Sequence, residues 1–227
     1  MFAARDFMPV NVRYSRKVYL LIVIISFLAC SLATPAFAGG RTVERTAALA
    51  LPGSSDTLRH SVEDKGYRVV LDDGWTAEFW FARALATTAK DSPGALYPEL
   101  NNGEFVAVVN FAKGSSDYRG QPIPVGTYTL RYQYLPQDAN HMGVSPNPDF
   151  LLAIPLAADP DPTRQLSFKT LVSLSAKAAV IAMAPATAPS SVARDDQGMT
   201  ILSVEVPASA PGKTEKFGIV LKGQATQ

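Results

Sequence analysis

Cysteine and histidine are almost absent from this chain. Its 227 residues include one cysteine, Cys30, and two histidines, His60 and His141. A disulfide within the chain needs two cysteines and a cysteine-based zinc site needs at least two, so both are excluded. A histidine-rich metal cage is excluded by the same count, although one or two histidines with carboxylates would still suffice for a metal site.

The short motifs of the commonest enzymes are also missing. No G-x-S-x-G, H-E-x-x-H, G-x-x-x-x-G-K-[ST] or G-x-G-x-x-G sequence occurs, which disfavours many serine hydrolases, zinc proteases and nucleotide enzymes. Positive charge is not in excess, because 21 basic residues face 20 acidic ones. We therefore expect no nucleic-acid partner, since such partners require a clustered basic surface, and the sequence indicates no cofactor.

The first 38 residues carry the three-part pattern of a secretory signal peptide. A basic region at residues 13–17 precedes an apolar stretch at 18–29, and Ala36 and Ala38 are the small residues of an A-x-A cleavage site. The apolar stretch is shorter than the roughly 20 residues that cross a bilayer. We predict cleavage near Ala38, which leaves a periplasmic or secreted chain with no membrane span and one domain at 39–227.

A lipid-modified Cys30 is the alternative, because an apolar-apolar-small-Cys tetrad ends many bacterial lipoprotein signals. Phe27, however, stands where leucine is usual in that tetrad. Removal of residues 1–38 takes away four basic residues and one acidic residue, which leaves 17 basic and 19 acidic side chains. The formal charge thereby changes from +1 to −2, and the only cysteine is lost.

Alternating side chains predict a mainly β fold. At 127–134 apolar and polar residues alternate, which indicates a strand with one aromatic face and one polar face. At 104–111 both faces are apolar, as in a central strand. Turn signals at 72–74 and 101–103 precede strands in the way that hairpin turns do. Further strands are predicted at 43–51, 67–71, 75–83, 150–156, 200–206 and 217–222.

About eight short strands separated by turn residues favour an antiparallel β-sandwich or jelly roll. One segment departs from this pattern, because Thr163 follows the sequence D-P-D-P and can cap a short helix at about 163–179. Residues 184–191, rich in alanine, proline and serine, are expected to form a surface loop.

The densest group of chemically versatile side chains falls between two predicted strands, at 138–149. The candidate binding residues in this loop are Asp138, Asn140, His141, Ser145 and Asp149. Loops on a rigid β scaffold often carry binding groups.

Three interpretations of this loop are open. Asp138, Asn140, Gly143 and Asp149 fit a calcium-loop spacing, but Met142 offers no oxygen ligand where one is needed. In the second interpretation, His141 acts as a general base beside a carboxylate. In the third, which we favour, the polar side chains close turns and satisfy backbone groups. We assign no catalytic residue and no metal ligand.

Aromatic residues crowd the middle of the chain, and an exposed aromatic row could stack on sugar rings or contact a partner. Core packing accounts for most of them. Trp80 is the exception that we add to the candidate binding residues, because Glu78 and Ala82 make its face of the predicted strand less apolar.

Residues 124–130, with the sequence PVGTYTL, resemble the P-x-G-x-Y-x-L strand of a set of uncharacterised secreted bacterial β-sandwich proteins. Residues 140–145 and 149–152 are also similar to segments of such proteins, so that the resemblance covers about 30 residues. It implies a sandwich fold and export. It carries over no activity and no site residue.

These patterns favour an exported, non-enzymatic module of the cell envelope that binds a small ligand, a glycan or an envelope protein. One alternative is a hydrolase or lyase that uses His141 with nearby carboxylates. The other is a structural accessory subunit whose aromatic face contacts another chain.

The signal-peptide hypothesis is tested by the N-terminus of the exported chain. We expect N-terminal sequencing to begin at Gly39 and Ala38→Arg to leave the precursor unprocessed, because cleavage requires a small residue at that position. Cys30→Ser should leave processing unchanged. A mature chain that begins at a lipid-bearing Cys30, and that is lost in Cys30→Ser, would contradict the hypothesis.

Overall fold

The computed structural model of the chain describes residues 41–88, 92–135, 145–175 and 179–223. The predicted leader at 1–38 lies outside these ranges. The strands are β1 Thr42–Arg45, β2 Tyr67–Val70, β3 Thr76–Phe81, β4 Phe105–Phe111, β5 Ser115–Ser116, β6 Pro122–Ile123, β7 Gly126–Tyr134, β8 Asp149–Pro155, β9 Ala179–Ala184, β10 Ser191–Arg194, β11 Thr200–Pro207 and β12 Thr214–Lys222. The helices are α1 Asp56–Ser61 and α2 Phe168–Leu174. In the described part of the chain, neither helix has the length and apolar character needed to cross a membrane.

Ten strands form one antiparallel sheet, in the order β1-β2-β3-β4-β7-β8-β9-β12-β11-β10, while β5 and β6 form a separate hairpin. The edge strands β1 and β10 lie close together, so that the sheet curves nearly into a barrel. The predicted mainly β class is confirmed. The predicted sandwich or jelly roll is not, because hydrogen bonding continues from strand to strand through a single sheet.

Side chains fill the inside of this barrel. Phe79 and Phe81 of β3, Leu130 of β7 and Phe217 of β12 are buried there, with ring centroids 6.1 Å apart between Phe81 and Phe217. A cavity lined by Phe79, Leu130 and Ile219 has a volume of only about 10 Å³. That is room for no more than about one water molecule. The interior is therefore a packed core and not a ligand chamber.

The outer face of the central strands is also covered. The predicted central strand at 104–111 is confirmed, because β4 is buried on both faces except at Asn110. Residues 46–63 pack over this region, and within them Ser55 caps α1 by accepting a hydrogen bond from the backbone nitrogen of Leu58 at 3.1 Å. The sequence pattern missed α1, since its six residues contain a single buried side chain, Leu58.

The face of β7 that the alternation predicts to be polar is buried as well. Arg131 is 1% exposed, and its guanidinium pairs with the fully buried Asp159 through Nε and Nη2 at 2.8 and 2.9 Å. Thr129 adds a hydroxyl hydrogen bond to the same carboxylate at 2.8 Å. The guanidinium also donates to four backbone carbonyls at 3.0 to 3.2 Å, those of Gly103, Asp161, Pro162 and Arg164.

This arginine explains why the predicted helix is shorter than expected. Carbonyls at 161–164 accept from Arg131 and are held outside a helical turn, so that α2 begins only after Ser167, whose Oγ accepts from the Thr170 nitrogen at 3.3 Å. α2 ends at Leu174. Ala179, the predicted end of the helix, is instead the first residue of β9, which pairs with β8 and β12.

Replacing Arg131 tests this packing. We expect Arg131→Leu to lower the free energy of unfolding by about 3–5 kcal/mol, because Asp159 would be left buried without its partner. Denaturant unfolding measures the change. Arg164→Leu is the control, since only the backbone carbonyl of that exposed residue contacts Arg131, and it should lie within about 0.5 kcal/mol of the wild type.

If Arg131→Leu does not fold, Asp159→Asn provides the second measurement, with a smaller loss expected because the guanidinium keeps its carbonyl partners. A loss below about 1 kcal/mol in both variants would show that the buried pair does not support the fold.

Candidate functional site

Three of the six candidate residues can be placed. Asp138, Asn140 and His141 lie outside the described residues. Ser145, Asp149 and Trp80 are described, and their exposed fractions are 5%, 0% and 3%. The structure thus places all three of these side chains in the protein interior.

Trp80 lies on the outer face of β3 beneath the chain at 46–66. Its indole Nε1 donates to the Ala47 carbonyl at 3.0 Å. Gly66 packs so closely that a Cβ there would lie 2.7 Å from the same nitrogen. The ring is therefore not available to stack on a ligand, in contrast to the expectation from the sequence.

Asp149 binds the backbone of residues 96–97 at one end of the barrel. This is the end where β7 finishes and β8 starts, and we call it the closed end. Its Oδ2 accepts from the Leu96 nitrogen at 2.8 Å. Its Oδ1 accepts from the Tyr97 nitrogen at 3.1 Å and from the Tyr132 hydroxyl at 2.7 Å. The carboxylate is thus engaged on both oxygens by groups of the protein itself.

The tyrosines beside Asp149 complete this network. Burial raises the pKa of Tyr97, and burial together with the hydrogen bond to Asp149 raises the pKa of Tyr132. Both phenols therefore stay protonated near neutral pH. The Tyr97 hydroxyl donates to the Ala184 carbonyl and accepts from the Gly218 nitrogen, and Ser145 Oγ donates to the Asp149 carbonyl at 3.2 Å. The described part of the predicted loop thus holds residues 96–97 in place at this end of the barrel.

Metal binding finds no support in the described ranges. Within them, no group of three or more histidine, cysteine, aspartate or glutamate side chains is arranged to hold a metal ion. The calcium-loop residues Asp138, Asn140 and Gly143 lie outside those ranges.

A cleft of about 520 Å³ opens at the opposite end of the barrel, and we call it the charged cleft. Two turns and the end of β12 form it: the β2–β3 turn, the β10–β11 turn and the residues that follow β12. The lining residues are Arg41, Leu71, Asp72, Asp73, Ser116, Arg194, Gly198, Thr200, Lys222 and Gly223.

Glycines with positive φ shape both turns. Gly74 has a φ of 73°, and its nitrogen donates to the Leu71 carbonyl at 2.8 Å, which closes the β2–β3 turn. Gly198 has a φ of 84° in the β10–β11 turn. There the Asp195 carboxylate accepts from the Met199 nitrogen at 2.7 Å. These turns fix the positions of the charged residues at their ends.

The charges of the cleft are partly paired. Arg41 Nη2 lies 2.9 Å from Asp72 Oδ2. Lys222 hydrogen-bonds to Asp73, and this contact, with the Trp75 nitrogen as a second donor, lowers the pKa of Asp73. Arg194 donates through Nε to the Gly198 carbonyl at 3.2 Å.

Arg194 is the basic residue of the cleft without an acidic partner. Among the described residues, no carboxylate lies within 4.0 Å of its guanidinium. The cleft lining therefore carries three basic groups against two acidic ones, and it also includes Ser116 and Thr200.

Two further grooves are smaller than the charged cleft. A groove of about 280 Å³ lies beside Tyr97 and Lys216 at the closed end. An apolar groove of about 200 Å³ is lined by Pro122, Pro124 and Tyr128.

Comparisons with known proteins identify no relative: no protein-family model, no curated protein and no solved structure matches this chain.

Sequence reasoning missed the residues of the charged cleft. The turn signal at 72–74 was recognisable, but Arg41, Arg194 and Lys222 are far apart in sequence. They meet because the order of strands in the sheet brings one end each of five strands to the same end of the barrel: β1, β2, β10, β11 and β12.

Removal of the Asp149 carboxylate tests its structural role. We expect Asp149→Ala to lower the free energy of unfolding by at least about 2 kcal/mol, because the backbone N–H groups of Leu96 and Tyr97 lose their acceptor and the Tyr132 hydroxyl keeps only the Tyr97 carbonyl, at 3.2 Å. Protease cleavage within 92–97 should also become faster. The exposed Asp64 pairs only at the surface with Arg83, and Asp64→Ala should change stability by less than about 1 kcal/mol. An Asp149→Ala protein of unchanged stability would contradict the structural assignment.

Proposed function

We propose that this chain is an exported, periplasmic or secreted, non-enzymatic binding module of the cell envelope, and that it takes its ligand in the charged cleft. The observation that carries the proposal is the charged cleft itself, which combines a volume of about 520 Å³ with converging polar side chains. Pockets for small molecules typically have volumes of about 300–1,000 Å³ and a few such groups.

The rest of the barrel supports the choice of this end. The interior is packed, with a cavity of about 10 Å³. At the closed end, Asp149 holds residues 96–97, and the buried Tyr97 ring packs against Phe217 of the core. A ligand therefore has more room at the charged cleft than at either of these places.

The electrostatics of the cleft favour binding over proton transfer. A general acid or base works best when its pKa lies near the working pH. Asp73 has a lowered pKa, because Lys222 and the Trp75 nitrogen donate to it, so that it stays ionised at neutral pH. Asp72 is paired with Arg41. These contacts suit groups that orient a bound molecule.

Two sequence features support export: the leader pattern at 1–38 and the resemblance of 124–130 to secreted β-sandwich proteins. The resemblance contributes no activity, so that it is compatible with a binding module. The same resemblance is what supports the finer assignment of the domain to the β-sandwich class.

Fragment screening by NMR tests the position of the site. A library of small polar and apolar compounds is titrated against isotope-labelled protein, and backbone amide shifts are followed. We expect the shifted amides to concentrate at 71–74, 194–200 and 222–223, because a concave polar site collects weak binders. Shifts that concentrate at another place, or a library without binders, would contradict the proposal.

A cleft-filling variant provides the control. Ser116 is exposed in the cleft lining, and Ser116→Phe should abolish most of the cleft shifts by occupying the space. Ser209→Phe places the same ring at an exposed position near the closed end and should leave them unchanged. Equal loss in both variants would show that the shifts do not report on the charged cleft.

A further inference from the structure

The charged cleft lies where the two edges of the sheet meet. β1 and β10 stand at opposite ends of the strand order but lie close together. In the described part of the chain, no hydrogen-bond ladder joins them. Arg41 directly precedes β1, and Arg194 is the last residue of β10. Both side chains line the cleft.

The direction of the strands brings these two arginines to the same end. Thr42 of β1 is paired with Val70 at the end of β2, and Arg194 of β10 is paired with Thr200 at the start of β11. Val70 is followed by Leu71 of the cleft lining, and Thr200 is itself part of that lining. The cleft is therefore bounded by both edge strands.

The chemistry of the cleft selects an anion. A guanidinium can donate two parallel hydrogen bonds to a carboxylate or phosphate, and Arg194 has no described carboxylate partner. Lys222 and the exposed Ser116 are further residues of the lining that can donate hydrogen bonds. The described lining contains no aromatic ring, which disfavours a glycan that binds by stacking.

Arg41 can exchange its partner. Its ion pair with Asp72 is partly exposed, with side-chain exposures of 28% and 49%. Exposed ion pairs contribute little to stability, so that an anion in the cleft can share or replace Asp72 at small cost.

We propose that the ligand of the charged cleft is a small solute bearing a carboxylate or phosphate group, and that this anion bridges Arg194 of β10 and Arg41 beside β1. The inference rests on the proposed function, because it assigns a ligand class to the same site. Binding would then join the two edges of the sheet that no described ladder connects.

Hydrogen exchange of the purified exported chain tests the bridge. Inorganic phosphate and succinate are the anionic probes, glucose is the neutral probe and spermidine the cationic one, all at constant ionic strength set with chloride. We expect phosphate or succinate to slow amide exchange in both β1 and β10, because the bridged edges open less often. Glucose and spermidine should leave exchange unchanged.

Variants identify the binding group. Arg194→Gln should weaken anion binding by about tenfold or more, since it removes charge-assisted hydrogen bonds, and Arg194→Lys should restore part of the affinity. Lys65 is exposed near the closed end, and Lys65→Gln removes the same charge without effect on binding. An affinity unchanged in Arg194→Gln, with its fold verified by circular dichroism, would overturn the proposal.

The outcomes separate this inference from the proposed function. If glucose or spermidine shifts the cleft amides and neither anion does, the anion assignment is wrong and the proposed position of the binding site stands. Anion binding at the cleft without slower exchange in β1 and β10 would overturn the bridge. A cleft that responds neither to these probes nor to the fragment library would overturn both proposals.

Discussion

The buried pair of Arg131 and Asp159 determines how the wall of this barrel is built. A charge inside a protein is tolerated only when it is paired and hydrogen-bonded. Here the guanidinium satisfies that condition with one carboxylate and four backbone carbonyls, and Thr129 shares the carboxylate. The pair holds the chain at 156–167 against β7, and α2 then covers Phe150, Leu152 and Ile154 of β8. A strand that alternates polar and apolar residues thereby becomes buried on both faces.

The interior is packed and β4, β7 and β8 are covered on both faces, so that the larger openings in the described part of the chain lie at the ends of the barrel. At the closed end, Asp149 engages the chain at 96–97 and a tyrosine hydroxyl, so that its carboxylate serves the fold. At the other end, Arg41, Arg194 and Lys222 surround an open cleft with fewer acidic partners than basic groups. The same antiparallel order that packs the core therefore gathers charges from distant parts of the chain.

Local patterns were sufficient to predict most strands, because β7 alternates at period two, β4 is a short continuous apolar run and the turn at 72–74 contains its glycine. They failed where a partner distant in sequence decides the environment. Arginine usually faces solvent. Arg131 is buried because its guanidinium is paired with Asp159, which lies far from it in sequence. Ala179 was predicted to end a helix and instead begins β9, which pairs with β8 and β12. Trp80 is covered by the chain at 46–66. The cleft depends on the order of strands in the sheet, and local sequence patterns do not specify that order.

The central claim is that the charged cleft, and not the barrel interior or the closed end, receives an anionic ligand. Anomalous diffraction from crystals soaked in selenate at low concentration tests it directly, because the heavy oxyanion reports its own position. The account predicts a peak within hydrogen-bond distance of Arg194 that also contacts Arg41 and disappears in Arg194→Gln crystals. Peaks confined to other surfaces, or a peak at the cleft that persists in Arg194→Gln, would contradict it.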